Sequence, residues 1–226
     1  PDWHVVDRAL TATGTLGFHA SGSANDLERM LDASPPGRWV VDSGRWRWDD
    51  MRMEIAGGLA RVSSGSHPQA LDALMACLGN DRVRSAERAI AHLRDLAGRA
   101  APAIEELIAV LRHADVGRPV VSPLIAAIAP DRFAEVVELL AGRAASGDMS
   151  TAWPADRELL ALSQEHGATD ELRSLTPGLV AALDARSSAA DGLQLAKVLR
   201  QIDSPEAQTA FEAHRRRERH ERGAAE

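Results

Sequence analysis

Tyrosine is absent from this chain of 226 residues, and cysteine occurs once. With Cys77 alone, no intrachain disulfide forms and no multi-cysteine zinc or iron–sulfur site can be built, which fits a reducing compartment. No window approaches the roughly 18 uninterrupted apolar residues of a membrane span. The first residues show neither a basic stretch nor the apolar run of a secretory leader. The expectation is a soluble, cytoplasmic protein that engages no membrane. Positive charge is also in short supply: 33 acidic residues face 26 basic ones, giving a net charge of −7 and a pI near 5.6. Phosphate binding usually leaves a basic footprint, so the charge balance argues against nucleic acid as the partner, and a basic or neutral protein is easier to accommodate.

Reactive constellations are scarce too. The eight histidines contain no i,i+4 pair and no His-Glu-x-x-His spacing, so no metal site is expected. Gly14-Thr15-Leu16-Gly17 is too short to cradle a phosphate, and no cofactor is expected. Cys77 sits on an apolar stripe beside Met75 and Leu78, where a small buried hydrophobe is the simplest reading. Asp49-Asp50, Glu105-Glu106 and Glu135/Glu138 are carboxylate pairs, yet a turn or a solvated helix face accounts for each. No catalytic residue is assigned.

What the sequence has in plenty is helix. It changes character near His67, and we divide it into an N-terminal module, 1–65, and a helical domain, 66–226. The first part carries four of the five tryptophans (Trp3, Trp39, Trp46, Trp48) among glycines and turn clusters. Ser23-Ala24-Asn25-Asp26 predicts a short helix over 24–32. Across Arg45–Ile55 the apolar residues alternate with charged ones and slip phase at Asp49-Asp50. This predicts a β-hairpin that pairs Trp48 with Met51 and Trp46 with Met53. With strands expected at 38–42, 58–62 and 3–6, the segment reads as a small α+β module.

From Pro68 onward apolar residues recur at helical spacing. Leu71, Leu74, Met75 and Leu78 form one stripe; Val83, Ala86, Ile90, Leu93 and Ala97 form the next, ended by Gly98. The pattern returns with Pro102 at a helix start, the stripe Ile104, Leu107, Ile108, Leu111, a turn at His113–Asp115, and an apolar segment from Val120 to Ala129. Two hairpins about 33 residues apart argue for a repeat, because such hairpins acquire a continuous core only by stacking. Further amphipathic segments are expected at 131–146, 154–166, 170–186, 189–202 and 205–220. The arginine-rich end is expected to fray.

The run Asp81-Arg82-Val83-Arg84-Ser85-Ala86, with Ala89 and then Ala100-Ala101-Pro102-Ala103-Ile104, resembles the HEAT repeat, an armadillo-type helical repeat. The match is good over 67–130; beyond it, periodicity carries the reading to about 222. The resemblance implies a mainly α fold, a right-handed α-α superhelix following the α+β module. It also implies structural roles for Asp81 and Arg84, with Asp115 and Arg118 at comparable positions one repeat later.

Two functions follow as expectations. The first is a non-catalytic scaffold that binds a protein, similar in architecture and charge to bacterial immunity proteins that neutralise a toxin. Its expected partner-binding residues are Trp46, Trp48, Asp49, Asp50, Arg84 and Arg88, since Trp and Arg are favoured at binding hot spots. The second draws on HEAT-like repeats that build alkyl-base DNA glycosylases. Arg82, Arg84, Arg88, Arg94, Arg99, Arg112 and Arg118 are candidates to line such a groove, although no segment matches that family's catalytic motif.

Overall fold

The computed structural model describes residues 22, 24–32, 48–63, 65–78, 83–113 and 118–224, with the backbone alone at 48–50 and 83–84. Among the described residues the fold is mainly α and contains no strand. The chain divides into two compact units, Pro1–Leu107 and Ile108–Glu226. The change of character near His67 lies inside the first unit.

In the first unit, α1 (Ala24–Asp32) buries Leu27 and Leu31, as the spacing over 24–32 predicts. The helix that follows, α2 (Trp48–Val62), overturns the α+β module. The expected hairpin from Trp48 onward and the strand at 58–62 are both parts of this one helix, while 3–6, 38–42 and Trp46 lie outside the described residues. The reason is packing. Met51, Ile55, Leu59 and Val62 make one helical stripe, and Met53, Ala56 and Ala60 make a second; all are at most 5% exposed. Because α2 packs against α1, α3 (Pro68–Leu78) and α4 (Val83–Leu96), it needs little polar face, so alternation over five residues did not distinguish strand from helix. A 3₁₀ segment over Ala97–Ala103 leads into α5 (Ile104–Arg112), within which the division between units falls.

The second unit comprises α6 (Ser122–Ile128), α7 (Phe133–Ala144), α8 (Met149–His166), α9 (Asp170–Ser174), α10 (Thr176–Asp184), α11 (Ala189–Gln201) and α12 (Pro205–Gly223). Sequential neighbours pack as hairpins: α6 on α7, α7 on α8, α10 on α11 and α11 on α12. Alternate elements also meet. The helices α6, α8 and α11 contact in series, and so do α7, α10 and α12. Each hairpin thus buries its second face against the next, an arrangement compatible with a helical repeat.

Local chemistry starts most of these helices. The side chains of Asp148, Thr169, Ser188 and Ser204 each accept a backbone N–H in the first turn of α8, α9, α11 and α12. Pro123 stands in the first turn of α6, where its missing donor costs no helical bond. Gly167, at φ 71°, closes α8. Trp153 lies inside α8 rather than at its start, with the Arg157 guanidinium 5.2 Å from its ring centre.

Candidate functional site

Of the residues expected to bind a partner, Trp48, Asp49 and Asp50 fall in the first turn of α2, and Arg84 and Arg88 fall on α4. The two helices run parallel. Glu54 on α2 pairs with Arg88 on α4, Arg61 reaches His92 and Asp95, and Arg99 reaches the carbonyls of Ala60 and Ser63. One turn before Glu54 and Arg88 stand Asp50 and Arg84, so this register sets their backbones level with each other.

The middle of the α2–α4 seam is a charged cluster closed on itself. His92 is 8% exposed. Its Nδ1 lies 2.5 Å from an Arg61 Nη2 that can only donate, so Nδ1 accepts and the proton resides on Nε2, 3.3 Å from the Glu54 carboxylate. Burial works against the Glu54 carboxylate. The hydrogen bond from His92, with the charges of Arg88 and Arg61, outweighs it and holds its pKa below the ordinary value. Gly57 makes room: a Cβ there would stand 2.5 Å from the imidazole Nδ1. A carboxylate-oriented imidazole is a familiar catalytic pair, but here the second nitrogen is taken by Arg61, leaving no basic lone pair to abstract a proton.

The second unit contains two buried carboxylates that the sequence reading missed, Asp156 at 0% and Glu158 at 3% exposure. The Glu158 carboxylate accepts from the backbone N–H groups of Val121, at 3.1 Å, and Ser122, at 2.9 Å, closing the N-terminus of α6. Burial nonetheless leaves its pKa raised. Asp156 accepts from Arg186 Nη2 at 3.0 Å, and the same nitrogen donates to the Ala144 carbonyl at 2.8 Å. Burial pushes the Asp156 carboxyl up to about 7, although the Arg186 charge and hydrogen bond pull it down. The signal was present in the sequence: Asp156 stands in phase with Ala152, Ala155, Leu159 and Leu162, on the stripe that became core. The carboxylates weighed instead, Glu105, Glu106 and Glu138, are exposed.

Arginine capping of helix ends recurs along the chain. Arg99 donates to Ala60 and Ser63 at the end of α2, Arg143 to the Arg112 carbonyl at the end of α5, and Arg186 to Ala144 at the end of α7. Arg217 donates to the carbonyls of Arg186 and Ser187, just past α10. Each pair is 30 to 42 residues apart in sequence, about the length of one helical repeat. Arg217 also explains why the charged end is a helix to Gly223: it is tied inward, and Glu221 accepts from the Ala189 N–H at 3.0 Å.

Cys77 is 7% exposed and its Sγ donates to the Ala73 carbonyl. His67 meets Glu28 at 2.8 Å, and His166 packs edge-on against Phe133 at 5.3 Å. Among the described residues, no three His, Cys, Asp or Glu side chains group closely enough to hold a metal, and no helix is long and apolar enough to cross a membrane. In comparison with known proteins, the chain matches no family model, no curated protein and no solved structure.

Proposed function

We propose that this chain is a non-catalytic helical-repeat scaffold of the HEAT-like kind that binds another protein, in the manner of an immunity protein that neutralises a bacterial toxin. The observation that carries this reading is the arginine capping at spacings of 30 to 42 residues. Arginine charge, buried at Arg186 and partly buried at Arg99, Arg143 and Arg217, is spent on joining one hairpin to the next, as expected of a scaffold whose outer surface does the work. The acidic balance of −7 favours a basic or neutral partner. Trp46, Trp48, Asp49 and Asp50, with Arg84 and Arg88 across the α2–α4 seam, are the proposed contact residues.

The glycosylase reading is less well supported, because three of the arginines needed to line a groove are engaged within the protein. Arg88 pairs with Glu54, Arg99 with two helix-end carbonyls, and Arg112 with Glu135 at 3.5 Å. The deciding experiment co-expresses the chain with the products of neighbouring genes and identifies by mass spectrometry what co-purifies. A specific protein complex weakened by Trp46→Ala, with the melting temperature unchanged, supports the proposal. Mobility shift of a DNA fragment at physiological salt, with no protein retained, overturns it.

A further inference from the structure

We propose that the outward face of the α11–α12 hairpin docks an acidic segment of a partner protein. This extends the protein-binding reading to a second surface, of opposite charge to the chain as a whole. The two helices run antiparallel, with Ala189 meeting Glu221 at one end and Arg200 meeting Phe211 at the other. The half-buried Phe211 ring has the Arg200 guanidinium carbon 6.0 Å from its centre and that of Arg215 5.9 Å from it. Lys197 precedes Arg200 by one turn, and Arg219 and Arg222 follow Arg215 by one and two turns. All five cations are exposed. The carboxylates paired with them are Glu212, 3.5 Å from Arg215, and Glu218, 2.5 Å from Arg222. Two of the five cations are thus ion-paired and, among the described residues, three are not paired with a carboxylate, in a chain whose net charge is −7.

The inward charges of α12 already have structural work. Arg217 caps α10 and Glu221 caps α11. Of the outward ones, Arg215 and Arg222 pair with Glu212 and Glu218 on their own helix, and among the described residues Lys197 and Arg219 have no hydrogen-bond or ion-pair partner. Contact with Phe211 restrains two guanidinium groups beside each other, and guanidinium forks match carboxylates in a bidentate geometry. The interleaved Glu212 and Glu218 would repel a continuous phosphate backbone. Discrete carboxylates on a peptide can avoid them, and its apolar side chains can settle on Phe211 and on Leu193, which is 37% exposed.

The test titrates a fluorescein-labelled oligo-glutamate peptide with the full chain at low salt and reads anisotropy. Saturable binding is expected, weakened about tenfold by Arg215→Glu/Arg219→Glu and unaltered by Arg216→Glu, which lies about 100° around the helix. Lys197→Glu on α11 weakens binding in the same direction and keeps the test valid should the double variant unfold by circular dichroism. Absence of saturable binding, an equal loss with Arg216→Glu, or tighter binding of a DNA duplex than of the peptide overturns the proposal. None of these outcomes bears on a complex formed through the α2–α4 seam, so the two readings fail separately.

Discussion

Ser122 and Glu158 bond each other in both directions: the Ser122 N–H donates to the Glu158 carboxylate at 2.9 Å, and the Ser122 hydroxyl donates to the Glu158 carbonyl at 3.0 Å. Two helices thus share one polar joint in the core of the second unit. No side chain next to α6 in sequence caps its start, so a residue some 36 positions away takes that place. Replacing Glu158 with Ala strands the N–H groups of Val121 and Ser122 and opens a void. The expected loss is about 2–4 kcal/mol, against a smaller loss for Glu158→Gln, which keeps an acceptor. Urea denaturation of the two variants measures both.

Asp156 makes stability depend on pH in a defined direction. Its carboxyl rises from 3.8 to about 7 on folding, through burial opposed by Arg186. The folded chain therefore binds this proton more tightly than the unfolded one. The stabilisation is complete below pH 3.8 and is lost as pH rises through about 7. Relative to Asp156→Asn, the wild-type protein should lose stability between these limits and level off above them; a difference independent of pH would contradict the assignment.

Arg186→Met removes the counterion and leaves Asp156 buried. Well above pH 7 the expected cost is about 3–5 kcal/mol, because the carboxyl must stay charged without its partner or take up a proton. Near pH 5 the carboxyl is mostly protonated, and the penalty should shrink. Thermal melts at the two pH values provide the comparison.

Gly57→Ala places a methyl group within 2.5 Å of the His92 ring. The expected penalty is about 1–3 kcal/mol for overpacking. His92→Ala relieves the clash, so the double variant should lose less than the sum of the single losses, a coupling that a double-mutant cycle measures.

Ala97 adopts φ 47° just after α4, a left-handed conformation that costs an alanine and not a glycine. Ala97→Gly should stabilise the chain by about 0.5–1 kcal/mol, the relief of backbone strain outweighing the added freedom of the unfolded state. A fall in melting temperature would show that the strain is not there.

Legibility differed between the two halves for a physical reason. From Pro68 onward the helices present one face to a neighbour and another to water, so periodicity in the sequence marks them, and Ser, Thr and Asp caps mark their starts. Helix α2 lacks that contrast. Packed against α1, α3 and α4, it is apolar nearly all round, and the short alternation of Met51, Arg52, Met53, Glu54 and Ile55 resembled a strand. The proposed contact set was legible only as residue types. That Arg88 meets Glu54, and that the second nitrogen of His92 is occupied by Arg61, depends on the parallel register of two helices more than thirty residues apart.

The sequence by itself therefore determined a mainly helical chain without intrachain disulfides and the approximate placement of most helices after residue 67. These are local matters of backbone propensity and hydrophobic period. Only the tertiary structure decided that residues 48–62 are helical, that Asp156 and Glu158 are buried, and that arginines close helix ends one hairpin away. In each case the partner is distant in the chain, and a charged side chain reads the same in sequence whether it meets water or a carbonyl in the core.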